Sequence, residues 1–325
     1  MICYFITYTL TSNYMKAPVT GLHHITAIAS DPRQNLDFYV RVLGLRFVKK
    51  SVNQDDPGTY HLYYGDYAAS PGTILTFFPW AGLRRGRPGT GQAYATAFSV
   101  PAGSLPFWQA RLSLLGVKQE PVEKRFADEV LPFVDPDGMR LELVAVDIPD
   151  PRPATPSKDV PAEFAVRGFH STTLALGDGK ATASVLTDSM GYKLLAQSGH
   201  RARYTVGDGA AGTFVDLLTD PALPRGLNGA GTVHHVAFRV ADAAQEITAR
   251  EVLLKSGLHV SPVIDRAYFR SIYYREPAGV LFEIATDGPG FAIDEPLDHL
   301  GTILGLPPHL EPHRAEIEAA LPKLD

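Results

Sequence analysis

Residues 21–26 read GLHHIT, and residues 168–173 read GFHSTT. Each opens an apolar run with strand character. Each is followed by a helical stretch that ends at a glycine turn, LDFYVRVLGLRFV at 36–48 and ASVLTDSMGYKLL at 183–195. Tyrosine-rich strand segments follow, YHLYYGD at 60–66 and ARYTVGD at 202–208, and then Gly-Thr strands, GTILTFFP at 72–79 and GTFVDLLTD at 212–220. A second kind of unit also occurs twice. AYATAFSVP at 93–101 aligns with VHHVAFRVA at 233–241, and FVDPDGMRLELV at 133–144 with YREPAGVLFEIA at 274–285. The Pro-x-Gly of the last pair predicts a hairpin turn feeding a final strand. Self-similarity of this kind is the signature of repeated supersecondary units. The chain is therefore expected to be α+β, with four βαβββ units beginning near residues 21, 92, 167 and 232.

Working outward, the Pro-rich segment 147–164 reads as a linker between halves. Residues 1–20 read as an N-terminal extension, 21–146 and 165–291 as two pairs of modules, and 292–325 as a loop-like tail with a weakly helical RAEIEAALPKL. Met15 is the expected natural start, and a cytoplasmic location is the default, because the first residues lack a basic region and a cleavage signal. The basic loop LRRGRPGTGQ at 83–92 lacks the Gly-Lys-Ser/Thr ending of a phosphate loop and is expected to be a connector.

The 325 residues carry 30 Lys+Arg against 35 Asp+Glu, which argues against a dedicated nucleic-acid binder. No apolar run approaches the ~18 residues that would span a membrane. A single cysteine excludes an internal disulfide framework and any thiolate-based metal site. A metal, if held, must be held by the histidines, of which there are eleven, and by carboxylates.

The four-unit pattern resembles the vicinal-oxygen-chelate superfamily of glyoxalases, bleomycin-resistance proteins and extradiol dioxygenases over roughly residues 20–290. The resemblance implies two cupped, barrel-like mixed sheets, with a metal held where paired modules meet. His24 and His235, on the first strands of units one and four, and Glu283, on the last strand of unit four, sit at the superfamily's ligand positions. Two imidazoles and one carboxylate form a facial triad that suits non-haem Fe(II) and O₂ chemistry. The internal alignment puts Ser171, Ala95 and Glu142 at the corresponding places of the other units, so a single complete triad exists. Its members can meet only if the module near 21–80 packs against the module near 232–290.

Four residues beyond Gly72 stands Thr76, where glyoxalase-type sites carry a fourth, carboxylate ligand. Its absence favours substrate and O₂ binding over isomerisation. LHHIT, YHLYYGD, GTILTFFP, RGFHS, HHVAF and DRAYFRSIYYREPAGVLFE together resemble the hydroquinone-type ring-cleaving dioxygenases. That resemblance implies that the second histidine of each doublet is the ligand. It also implies that Arg266 and Tyr273 stand in the pocket, with Tyr268 and Tyr274 as the neighbours a one-residue slip would promote. Thr26, two residues after His24, is expected on the same strand face, and His23 and His234 to be secondary or peripheral. Strand alternation predicts that His23 and His24 face opposite sides. His61, His170, His200, His299, His309 and His313 are expected to be non-ligands.

The expected function is an Fe(II) dioxygenase, with Mn²⁺ or Zn²⁺ as substitute metals, that opens a dihydroxylated aromatic ring. Its partners would be a small aromatic substrate and O₂, with no nucleic acid or membrane, and exposed sheet edges would allow self-association. The alternatives are another metal-dependent isomerase or lyase of the superfamily and a metal-free small-molecule binder.

Overall fold

The computed structural model describes residues 15–147 and 150–324. Residues 1–14, the part of the expected extension upstream of Met15, lie outside them. Among the described residues sixteen strands follow in chain order: β1 Leu22–Ala29, β2 Arg46–Val52, β3 Tyr60–Gly65, β4 Ile74–Pro79, β5 Gln92–Pro101, β6 Glu123–Arg125, β7 Asp128–Val134, β8 Arg140–Val146, β9 Gly168–Ala175, β10 Lys193–Ser198, β11 Arg201–Thr205, β12 Phe214–Leu218, β13 Thr232–Val240, β14 Ile264–Asp265, β15 Phe269–Arg275 and β16 Leu281–Pro289. They form two curled eight-stranded mixed sheets. One runs β14-β15-β16-β13-β1-β4-β3-β2 and the other β10-β11-β12-β9-β5-β8-β7-β6. The architecture is α+β.

The first sheet draws its strands from the two ends of the chain, and the second takes the middle. In each sheet two long strands meet antiparallel at the centre, β1 with β13 and β5 with β9. Each centre strand then pairs in parallel with the last strand of its own unit, as β1 does with β4 and β13 with β16. Helices pack against the sheets. The longest, α-helical over Ala243–Lys255, starts on Asp242, whose carboxylate accepts from the backbone N–H groups of Ala244 and Gln245. Such a cap contributes about 1 kcal/mol. The tail carries a short helix at Arg314–Ala320. Among the described residues no helix is long and apolar enough to cross a membrane.

The connector 83–92 runs against a second crossover. Its backbone pairs with residues 224–230, through Arg87 N–H to the Leu227 carbonyl at 2.8 Å and Thr90 N–H to that of Pro224 at 2.8 Å. The two crossovers lie so close that a Cβ on Gly89 would stand 2.2 Å from the Pro224 oxygen. The glycines of this loop permit chain crossing.

Candidate metal centre

The site occupies two adjacent rows of residues across the first sheet. In one, Tyr273, Glu283, Ala237 and His24 stand side by side on β15, β16, β13 and β1. In the next, His235, Thr26, Thr76 and Tyr63 stand on β13, β1, β4 and β3. Ala237 presents only a methyl group between Glu283 and His24, which leaves room above it. The Nε2 atoms of His24 and His235 lie 3.3 Å apart and 3.2 and 2.9 Å from Glu283 Oε2. All three side chains are buried.

Neither carboxylate oxygen of Glu283 receives a hydrogen bond of acceptable geometry, despite this proximity. A fully buried carboxylate without a partner is costly. Lone pairs converging on one point, from donors that suit a first-row divalent ion, fit a metal centre. Among the described residues this is the one group of three or more His, Cys, Asp or Glu whose ligand atoms converge. Burial alone would raise the Glu283 carboxyl, but the His24 and His235 imidazoles hold it well below the usual carboxylate range.

The centre opens into a cavity of about 380 Å³ whose apolar walls include Val52, Phe78, Trp80, Phe269 and Leu281. Tyr273 and Arg266 both reach this cavity. The Tyr273 hydroxyl oxygen accepts from Arg266 Nε and from Ser271 Oγ, each at 3.1 Å. With its oxygen so engaged, the phenol's own proton is left to donate elsewhere. Burial, with the Glu283 charge behind it, pushes the Tyr273 phenol up, so it remains a donor at neutral pH. Tyr274 points away, its hydroxyl 3.1 Å from Met190 Sδ, while Tyr268 is held on Asp294 at 2.8 Å. Tyr268 also lines the cavity, and of the three Tyr273 is the one that stands beside Glu283 in the register.

His61 is a non-ligand by the sequence expectation. It is not among the converging ligands, but it lines the cavity and links a chain of polar groups. Tyr63 OH lies 2.7 Å from His61 Nδ1, His61 Nε2 lies 2.8 Å from Thr76 Oγ1, and Thr76 lies 2.8 Å from Thr26. Burial, reinforced by the neighbouring His235 and His24, holds His61 neutral. Thr26 thus lies beneath this chain and Tyr63 at its cavity end. The signal was the His-x-Tyr spacing on β3, which puts both rings on one strand face. Of the other histidines set aside, His200, His299, His309 and His313 are exposed, and His170 lies buried in the second sheet.

The expectation that His23 and His24 face opposite sides is overturned. Their Nδ1 atoms lie 2.9 Å apart, and those of His234 and His235 lie 2.8 Å apart. The register of β1 against β13 slips between Leu22 and His24, and again where Thr26 faces His235 and Ala27 faces Val233. His23 and His234 are the extra residues of these two β-bulges, which break the alternation and turn each ring onto its neighbour.

The second sheet repeats both rows without the ligands. Pro132, Glu142, Ala97 and Ser171 form one, and Ala95, Thr173, Asp216 and Arg203 the other. Here Glu142 accepts from Arg125 at 2.7 and 2.9 Å. Asp216 accepts from Arg201 at 3.1 Å and from Arg203 at 2.8 and 3.1 Å, and Arg203 also reaches Asp128. Guanidinium–carboxylate pairs fill the space that the first sheet leaves to a metal.

Residues 21–143 and 168–284 match the Glyoxalase/Bleomycin resistance protein/Dioxygenase superfamily. The chain is 44% identical over 308 residues to a Bacillus subtilis protein named "Putative ring-cleaving dioxygenase MhqO", covering 94% of this chain and 97% of that one. It is 36% identical over 308 residues to the chlorohydroquinone/hydroquinone 1,2-dioxygenase of Sphingobium indicum, covering 92% and 95%. A crystal structure of a B. subtilis "putative dioxygenase" superposes with a TM-score of 0.91 at 43% identity, covering 96% and 99%. Maize glyoxalase I shares the fold alone, at a TM-score of 0.62 and 15% identity over 82% of this chain and 92% of that one. By the matched modules and by these full-length relatives, the chain belongs to the glyoxalase/bleomycin resistance/dioxygenase superfamily.

Proposed function

We propose that the protein is a non-haem Fe(II) ring-cleaving dioxygenase that opens a dihydroxylated aromatic ring, of hydroquinone type, with O₂. The observation that carries this reading is the convergence of His24, His235 and Glu283 at the floor of an apolar, ring-sized cavity. These three residues would hold the ion and leave other positions of an octahedron free. Iron bound there supplies coordination of substrate and O₂ and a path for electrons between them.

The chain's own residues do the rest. Phe78, Trp80 and Leu281 surround the ring and keep water out, which strengthens every polar contact inside. Tyr273 donates its proton to an oxygen of the substrate, and Arg266, 3.1 Å from that phenol, offsets negative charge on a phenolate. Tyr63, backed by neutral His61, is placed to hold or pass a substrate proton. Thr76 in place of a fourth ligand carboxylate favours this reaction over isomerisation. The names of the Bacillus and Sphingobium relatives support the reaction class, and that of the Sphingobium relative the para-diol.

Oxygen uptake tests the proposal. Protein loaded anaerobically with Fe²⁺ should consume O₂ with a panel of hydroquinones, and Zn²⁺-loaded protein should not. No uptake by fully Fe²⁺-loaded protein with any hydroquinone or catechol would overturn it.

A further inference from the structure

The second sheet bears a cavity of about 400 Å³, close in size to the one over the candidate metal centre. Its walls include Ala127, Ala145, Val146, Ala211 and Phe214. The register shows why it is open. Phe269 and Asp128 begin β15 and β7, four places before Tyr273 and Pro132, which face Glu283 and Glu142. Two residues further back, Ala267 and Phe126 both have positive φ, at 68° and 56°, so the two loops turn alike. In the first sheet this place is packed with rings. Tyr268 stacks on Phe291 at 4.8 Å, and Phe269 lies 5.2 Å from His23. In the second sheet Ala127 and Asp128 stand in place of Tyr268 and Phe269, and past β8 it is the Asp150–Arg152 ion pair that borders the cavity.

His170 lines this cavity and is only 2% exposed. Its Nδ1 lies 3.1 Å from Ser171 Oγ. Among the described residues its Nε2 has no hydrogen-bond partner, and Asp128 Oδ2 stands 3.8 Å away. A buried polar nitrogen left unpaired is costly. Burial holds the ring neutral, and the serine hydroxyl beside Nδ1 can donate or accept. Nε2 therefore suits a partner that can also do either, as a hydroxyl does. The Phe214 ring, 5.1 Å from the imidazole, supplies a flat wall beside it. Asp128, Asp147 and Asp150 line the cavity against Arg152, the one Lys or Arg among its described lining residues, which disfavours an anion.

We propose that this cavity is a second small-molecule site that takes a neutral phenol, with its ring against Phe214 and its hydroxyl on His170 Nε2. The ring would take the place that Tyr268, Phe269 and Phe291 fill in the first sheet. The site uses none of the His24–His235–Glu283 rows, so it is independent of the metal centre.

Binding, not turnover, tests this. 4-Fluorophenol, which has a single hydroxyl, is titrated into the Zn²⁺-loaded full chain and followed by ¹⁹F NMR, for the parent, Leu281→Trp, Ala145→Phe and His170→Leu. Leu281→Trp crowds the cavity of the first sheet, and Ala145→Phe that of the second. The expected binding persists in Leu281→Trp and is lost in Ala145→Phe. It weakens about three- to ten-fold in His170→Leu, as loss of one hydrogen bond does. 4-Fluorobenzoate should not displace it. No saturable binding to Leu281→Trp would overturn the proposal. So would binding left unaltered by Ala145→Phe or by His170→Leu, or displacement by the benzoate as effective as by a second phenol. If a variant does not fold, nuclear Overhauser contacts in the parent decide: contacts from the ligand ring protons to Phe214 support the site, and contacts to Phe78 and Trp80 alone refute it.

Discussion

Replacing Arg125 with leucine strips the second sheet of the cation that stands where the first sheet would hold its metal. Glu142 is nearly inaccessible, its side chain 4% exposed, and accepts two N–H groups from that one guanidinium, at 2.7 and 2.9 Å. Without Arg125 the buried carboxylate loses the guanidinium that binds both its oxygens, and the charge of Arg201 acts on it without a hydrogen bond. Breaking a buried pair from one side costs about 3–5 kcal/mol, because the remaining charge is uncompensated. Removing both charges, as Arg125→Leu with Glu142→Leu, should return stability to within about 1 kcal/mol of the parent, since an apolar replacement of a buried pair is often neutral. Urea unfolding at fixed pH reads the difference from the midpoint shift at constant slope. Oxygen uptake at the first sheet should be unchanged in the double variant, because none of its residues belongs to the His24–His235–Glu283 rows. A cost below about 1 kcal/mol for Arg125→Leu, or a double variant as unstable as the single, would refute the view that this ion pair is the structural counterpart of the metal site.

Three other outcomes are expected. Tyr273→Phe should lower kcat/KM by about 10²-fold with metal content unchanged, as loss of a positioned proton donor does; unaltered kinetics would remove Tyr273 from the reaction. Lys49 Nζ, fully buried, binds Asp294 at 2.6 Å and Glu295 at 2.5 Å, and so ties the tail that bears cavity residues Ile293 and Leu306. Lys49→Met should therefore accelerate limited proteolysis within 292–325 and raise KM, and an unchanged cleavage rate would show that the tail is held otherwise. Burial, with help from Arg203, holds His170 down at about 4, against 6.5 for a free imidazole. Its folded-state value lies below the unfolded one, so the stability it contributes is whole above pH 6.5 and is lost as pH falls toward 4. Comparing urea midpoints at pH 7 and 4.5, His170→Gln should lose about 2–3 kcal/mol less than the parent on acidification; an equal loss would place the acid sensitivity elsewhere.

The four-unit architecture was legible because each unit repeats its own punctuation, from Gly-Leu-His-His and Gly-Phe-His-Ser to the two Pro-x-Gly hairpins. The candidate ligands were legible for a related reason: an internal alignment shows which strand positions are chemically alike and where only one copy carries two histidines and a glutamate. The bulges at His23 and His234 were not legible. No glycine or proline marks them, and they arise only when β1 and β13 are laid against each other. The Tyr63–His61–Thr76–Thr26 chain was hidden likewise, since it runs across three strands rather than along one. The same holds for Lys49, which reads as one more charge on a strand until the tail brings Asp294 and Glu295 onto it.

The central claim is that the His24–His235–Glu283 centre directs O₂ into an aromatic ring. Its most direct test is mass spectrometry of the product formed from a hydroquinone under ¹⁸O₂ by Fe²⁺-loaded protein, with His24→Ala as the control. The account predicts a ring-opened product carrying both labelled oxygen atoms, and none from the control. A quinone without label, or a labelled product formed equally by His24→Ala, would contradict it.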